Sequence, residues 1–366
     1  MRAIILALFA LTLTASAQTT YKQEASLGIA RLQQDYNAST GLYMPFTGWW
    51  NSANAISMLD DYSLAAHTKQ YIPIFANTLA KAQLRQTPDA TIANDKPGFP
   101  GFLNKYYDDE GWWVLAWVGA YDVTRDKKYL AMAESIFADM AAGWDSTCDG
   151  GIWWSKDKTY KNAIANELFL AAAAHLAART KSKQRAEYLD WAQREWKWFN
   201  ATGMINDQHL VNDGLNLRTC KNNQRKTWSY NQGVIVGGLV ELNRVAPDPS
   251  LIATAQGIVN ATLTTLVDAN GIMTDHCEPK CSGDGVQFKG IFVRNLMSLA
   301  VAAPDPRYRD FVDRNADSIW KNSLGPDNSL GQAWAGPIAA ADKAGSQISA
   351  LDTLTAATQF EAMKKH

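Results

Sequence analysis

The apolar positions of this chain recur on a helical period, and the helical stretches come in pairs. A polar or aromatic cluster opens a strongly apolar helix, a Pro/Asp-type turn follows, and a second helix comes after it. The clusters lie near Trp49-Trp50-Asn51, Gly111-Trp112-Trp113, Lys161-Asn162-Ala163, Tyr230-Asn231-Gln232, Phe288-Lys289-Gly290 and Ser346-Gln347-Ile348. Their spacing of roughly 50 to 70 residues is longer than that of helical solenoid repeats. In the third unit Ala163, Leu168, Ala171 and Leu176 share one helical pattern, Thr180 to Lys183 make a polar turn, and Ala186 to Phe199 form the second helix. The turns Ala246-Pro247-Asp248-Pro249 and Ala303-Pro304-Asp305-Pro306 restart helices at Ser250 and Arg307, because proline suits a first helical turn.

Gly233 to Leu242 and Ile291 to Val301 are apolar nearly all round, which marks buried helices. The later helix of each pair is amphipathic, as an outer layer would be. Six hairpins of this kind predict an all-α (α/α)6 barrel. Asp89 to Phe102, Ile205 to Thr227 and Asp275 to Gln287 are rich in Gly, Asn and Asp and are expected to form loops that wall a cleft at one end. An open, peptide-binding solenoid is the competing architecture, and the long loops and uneven unit lengths argue against it.

The first residues change the compartment. Arg2, the apolar run Ala3 to Leu13 and Ala15-Ser16-Ala17 read as a secretory signal over residues 1–17, leaving 18–366 as a single catalytic barrel domain. No stretch reads as a membrane span. The charged end Lys364-Lys365-His366 lacks a GPI signal, so a secreted, extracellular protein is expected, with cell-wall association as a variant. Cys277 and Cys281 are close enough for a local disulfide, which leaves Cys148 and Cys220 as a pair by elimination; other pairings and a zinc site stay open. Sequons at Asn37, Asn200 and Asn260 fit a glycoprotein.

Lys+Arg number 35 and Asp+Glu 36, a formal net charge of -1. No basic excess invites nucleic acid and no polybasic patch invites a membrane, so a neutral substrate is the natural inference. Tryptophan, at 14, outnumbers phenylalanine and proline at 12 each, which suits a carbohydrate cleft.

Candidate chemistry concentrates in Tyr106-Tyr107-Asp108-Asp109-Glu110-Gly111-Trp112-Trp113. Two adjacent carboxyl groups in an aromatic frame suit glycoside hydrolysis, which uses one carboxylate and one protonated acid. A solvated acidic turn capping a helix is the plainer reading. The pair would open an inner helix running from about Glu110 to Val123. A carboxyl separation of roughly 5 Å predicts a retaining mechanism, and like charge with burial would drive the two proton affinities apart.

This segment resembles the signature of glycoside hydrolase family 76, the endo-α-1,6-mannanases, which includes fungal cell-wall mannosidase-like proteins. Trp49 to Ala55, Cys148 to Trp154, Tyr160 to Glu167, Trp228 to Gly233 and Phe288 to Arg294 extend the likeness in order along nearly the whole chain. The resemblance implies an (α/α)6 barrel, no cofactor and no metal, Asp108 as nucleophile and Asp109 as acid/base. It implies a mannan endo-1,6-α-mannosidase acting on α-1,6-linked mannan or manno-oligosaccharide, here expected to be a monomer. The rivals are a cell-wall transglycosylase and a catalytically silent carbohydrate-binding wall protein on the same scaffold.

Trp49, Trp50, Tyr107, Trp153 and Trp154 are candidates for sugar subsites, with core packing as the alternative. Asn51, Asn162, Asn166, Tyr230, Gln232 and Lys289 head inner helices and are candidates for hydroxyl contacts, with capping the alternative for the asparagines. Asp213 is a candidate third cleft carboxylate or an ordinary Asp-Gly turn. Asp60-Asp61 reads as a solvated or capping pair at the far end of the first inner helix. No histidine cluster has metal spacing, and there is no phosphate loop or nucleophile elbow.

Overall fold

The computed structural model describes residues 19–43, 48–83, 100–338 and 344–363. The expected signal segment and most of the Asp89 to Phe102 loop lie outside them. Among the described residues twelve α-helices carry the fold: α1 (Tyr21–Leu32), α2 (Trp49–Ala65), α3 (Ile72–Lys81), α4 (Tyr107–Thr124), α5 (Lys127–Ala141), α6 (Ala163–Arg179), α7 (Ser182–Ala201), α8 (Ser229–Val245), α9 (Pro249–Thr265), α10 (Phe288–Ala302), α11 (Pro306–Asn322) and α12 (Ala344–Met363). Two antiparallel ribbons, β1 (Tyr36–Asn37) with β2 (Leu42–Tyr43) and β3 (Leu215–Asn216) with β4 (Lys221–Asn222), decorate the loops.

The even-numbered helices form a closed inner ring. Each packs on the next, α2 on α4, α4 on α6, α6 on α8, α8 on α10, α10 on α12, and α12 back on α2. This is the (α/α)6 barrel expected from the paired pattern. Burial on all faces explains the ring: α6 is buried continuously from Ala163 to Ala174 and α12 from Ala344 to Thr358. The odd-numbered helices bury one stripe each, as in α11, where Tyr308, Phe311, Val312, Asn315 and Ile319 face inward. Aspartates start three of the outer helices: Asp126, Asp248 and Asp305 accept from the amides of Lys128, Ser250 and Arg307.

The sixth hairpin differs from the sequence expectation. The unit that begins near Ser346 ends with its inner helix, and the outer position against α12 is filled by α1 from the other end of the chain. α1 starts with a capping box between Thr20 and Gln23.

Both predicted disulfides are formed, Cys148–Cys220 and Cys277–Cys281. Of the sequons, Asn37 is exposed at the end of β1 and Asn200 is exposed near the end of α7, whereas Asn260 lies half-buried inside α9. Among the described residues no helix is long and apolar enough to cross a membrane. Asp60 and Asp61 lie at the end of α2 away from its start, as patterned. Asp60 is not solvated, however: it is 1% exposed and packs against Gly119 of α4.

The ring closes only because small residues stand where inner helices meet. A methyl group on Gly233 of α8 would lie 2.5 Å from the Phe292 Cα of α10, and one on Gly290 of α10 would lie 2.4 Å from the Ser349 carbonyl oxygen of α12. Gly290→Ala is therefore expected to lower stability by about 1–3 kcal/mol, measured by chaotrope unfolding, because backbone must move to admit the methyl.

Candidate active site

The inner helices run in one direction. Trp50, Asp108, Tyr230 and Phe288 from their first turns, and the α6 cap Asn162, line one cavity of about 330 Å³. Helix N-termini therefore converge there, and their free amides favour negative charge.

Asp108 and Asp109 sit inside the first turn of α4, which begins at Tyr107 rather than at Glu110. The earlier start comes from docking on the preceding loops. The Tyr107 amide donates to the Trp154 carbonyl at 2.9 Å, and Asn104 Oδ1 accepts from the Tyr106 amide at 2.7 Å. Asp108 accepts from Trp154 Nε1 at 2.9 Å through Oδ2 and from the Asp109 amide at 3.1 Å through Oδ1. Asp109 is 3% exposed, and its Oδ2 accepts from Asn104 Nδ2 at 2.6 Å. Successive helical residues point about 100° apart, so the two carboxyl groups can flank one bound ring.

Aromatic rings and polar groups complete the cavity. Trp50 stacks on Trp112 with centroids 5.6 Å apart and donates through Nε1 to Asp284 at 3.0 Å. Tyr230 stacks on Phe288 at 3.8 Å. The Tyr160 hydroxyl donates to Asp213 Oδ2 at 2.6 Å and accepts from Asn223 Nδ2 at 2.8 Å. Burial, followed by the charges of Asp213 and Asp108, holds the Tyr230 hydroxyl well above its ordinary proton affinity, so it stays a neutral donor.

The cavity thus brings together Trp50, Asp108, Asp109, Trp154, Asn162, Asp213 and Tyr230. Asn162 also caps α6, accepting from the Ala165 amide at 3.3 Å. The other candidates take structural positions outside the lining. Trp49 packs against Phe102 and Trp113. Trp153 donates to Asp145 at 2.7 Å. Tyr107 is buried against Gly143. Asn51 bridges the Gly48 amide and Gln287. Asn166 clamps both peptide groups of Ile152, and Gln232 does the same to Val211. Lys289 pairs with Glu278 at 2.5 Å and donates to the Gln332 carbonyl at 2.8 Å.

The lining also includes Trp112, Tyr160, Arg225, Asp284 and Phe288, which sequence reasoning did not single out as ligands. Trp112, Tyr160 and Phe288 stand within segments that carry the family likeness. Arg225 and Asp284 fall in two stretches predicted as cleft walls, but nothing in their local pattern distinguishes them from other loop residues. Among the described residues no group of His, Cys, Asp and Glu is arranged to hold a metal ion.

An acid pair at the mouth of an (α/α)6 barrel, framed by aromatic rings, has the make-up of a glycosidase site. The sequence matches the glycosyl hydrolase family 76 model over residues 11–365, and the chain belongs to that family. It is 27% identical over 325 residues to the mannan endo-1,6-alpha-mannosidase DCW1 of Candida albicans, covering 81% of this chain and 69% of that protein. It is 26% identical to DFG5 of the same organism, covering 82% and 70%. Among solved structures, the GH76A α-1,6-mannanase of Salegentibacter sp. HEL1_6 superimposes with a TM-score of 0.80 at 23% identity, covering 92% of this chain and 98% of that one. An inactive variant of that enzyme, with two consecutive aspartates changed to alanine, was solved with α-1,6-mannotetrose; its TM-score is 0.80 at 21% identity, covering 93% and 99%. At these identities the structures establish the shared fold.

The loop that presents Trp154 hangs on one buried cation. Lys161 is fully buried and donates to Asp145 at 3.0 Å and to the carbonyls of Thr147, Gly150 and Gly151 at 2.8, 2.7 and 2.9 Å. Lys161→Met would strand these acceptors, with an expected loss of about 3 kcal/mol in denaturant unfolding.

Proposed function

We propose that this chain is a secreted, endo-acting α-1,6-mannosidase that cleaves the α-1,6-mannan backbone with retention, through a covalent glycosyl-enzyme on Asp108. The observation that carries the reading is the placement of consecutive Asp108 and Asp109 in one helical turn, lining an aromatic cavity.

Asp108 receives an indole N–H and a peptide N–H, donors that favour the carboxylate needed for attack on C1. Asp109 is more deeply buried, which favours the neutral form of an acid that must hold a proton, and Asn104 fixes its orientation. In the first step Asp108 displaces the glycosidic oxygen from C1 while Asp109 protonates that oxygen. In the second, Asp109 takes a proton from water as the water attacks C1, Asp108 leaves, and the α configuration is restored. Trp50, Trp112 and Trp154 offer faces for sugar rings, while Asn162, Tyr160, Asp213 and Tyr230 offer partners for hydroxyl groups.

The names of the Candida relatives and the mannotetrose bound to the Salegentibacter variant support α-1,6-mannan as substrate. That variant is inactive without its two consecutive aspartates, which supports the roles given to Asp108 and Asp109. Two disulfides suit an oxidising, extracytoplasmic compartment and so support secretion.

The test is incubation with α-1,6-manno-oligosaccharides and mass analysis of the products. Shorter sugars are expected; longer ones would assign the chain to sugar transfer, and unchanged ones would leave it a binding protein. Asp108→Asn and Asp109→Asn are each expected to lower kcat/KM by about 10²–10⁴-fold. If both retained full rate, the site assignment would be wrong. Trp154→Phe, which keeps a ring but removes the donor to Asp108, is expected to lower kcat/KM by about tenfold.

A further inference from the structure

The barrel has a second and larger cavity, of about 610 Å³, at the end opposite the aspartate pair. It is lined from the later turns of all six inner helices, and Trp112 of α4 borders both cavities. The helices that aim their N-termini at the cleft therefore aim their C-termini here, where free carbonyls favour positive charge.

The walls are acidic and only partly neutralised. Arg179 of α6 is held by Asp122 of α4 and by Glu241 of α8. His175 lies 3.2 Å from Glu241, and Arg244 pairs with it at 2.5 Å. Arg294 of α10 bonds Asn54 and reaches Asp352 Oδ1 of α12 at 3.4 Å. These contacts tie up every arginine of the lining.

Asp60 stays without a donor. It is 1% exposed, faces the cavity, and neither of its oxygens has a hydrogen-bond partner among the described residues. Asp352 Oδ2 and Thr355 Oγ1 are in the same condition on the α12 wall. A buried carboxyl group without a donor is costly, so the site calls for one.

The rim is different in kind. Leu64, one turn beyond Asp60, is 47% exposed, and Val301 of α10 is 62% exposed. Large apolar residues so open to solvent are few on this surface. The cavity is thus acidic in its depth and apolar at its mouth, and its volume falls within the range of small-molecule sites.

We propose that this far-end cavity binds a small amphipathic organic cation, its ammonium group against Asp60 and Asp352 and its alkyl part against Leu64 and Val301. A bare metal ion fits less well, because no arrangement of ligands for one exists among the described residues.

The titration of the walls fits such a ligand. Burial first, then the neighbouring Asp61 and Asp122, pushes Asp60 well above the usual carboxylate range. Burial likewise pushes Asp61 up to about 6 and Asp352 up to about 7, against the pull of Arg294. Acids raised in the native state destabilise it as pH climbs from the unfolded value, about 4, through these values. A bound ammonium ion offsets that loss, so its effect is largest when the acids are ionised.

The probe is n-hexylamine, followed by calorimetric titration and by the thermal midpoint, with n-hexanol as the neutral comparator. At about pH 8 hexylamine is expected to bind saturably and raise the midpoint, and hexanol is not. At about pH 5, where the amine is still charged, binding is expected to weaken by about tenfold or more. Asp60→Asn is expected to weaken it equally. So is Leu64→Lys, an exposed rim change that leaves the core intact and decides the matter if the first variant does not fold. Mannan cleavage stays unchanged in both. Absence of saturable binding, equal binding of hexanol, or binding undiminished in either folded variant overturns the proposal and leaves a water-filled cavity.

Discussion

The cleft depends on one repeated contact, in which a polar side chain from the first turn of an inner helix accepts the peptide N–H of the loop before it. Ser52 holds Tyr43, Glu110 holds Asn104, Asn166 holds Ile152, Gln232 holds Val211 and Gln347 holds Leu330. In α10 the task passes to Lys289, which donates to the Met273 carbonyl. Each contact is buried, so leaving its partner unsatisfied would cost more than the bond contributes. The loops are thereby fixed to the rigid ring, and the ring in turn is fixed by all-round burial of its helices.

That fastening turns five helix starts into a site. Glu110 holds Asn104, Asn104 holds Asp109, and Trp154 holds Asp108, so the acid pair is oriented from two loops at once. Membership of glycosyl hydrolase family 76 and the aromatic lining give this arrangement its chemical meaning. The direction of the helices also separates the two ends of the barrel. One end gathers amides around acids that need them, and the other gathers carbonyls around acids that they oppose.

Much of the barrel was legible in the sequence because its helices obey local rules. All-round apolar runs mark the inner ring, and Asp-Pro turns mark the outer restarts. The closing role of α1 was not legible, since its partner α12 lies at the opposite end of the chain and no periodicity links them. In the site, Asp108 and Asp109 were legible because neighbours in sequence are neighbours in space. Asn166, Gln232 and Lys289 read equally well as sugar ligands, since an amide or ammonium in a first helical turn can serve a loop or a hydroxyl. Only the fold shows that loop peptides occupy them. Arg225 and Asp284 reach the cavity from separate loops, a meeting that neither loop's own pattern encodes.

In the proposed mechanism Asp108 forms a covalent bond to C1 of mannose while Asp109 moves the proton. Asp109→Asn with α-1,6-mannobiosyl fluoride tests it directly, because fluoride leaves without acid help and the second step then stalls without its base. Peptide mass mapping is expected to find a mannobiosyl adduct on Asp108. Consumption of the fluoride with the adduct on another residue, or with no adduct formed at all, would contradict it.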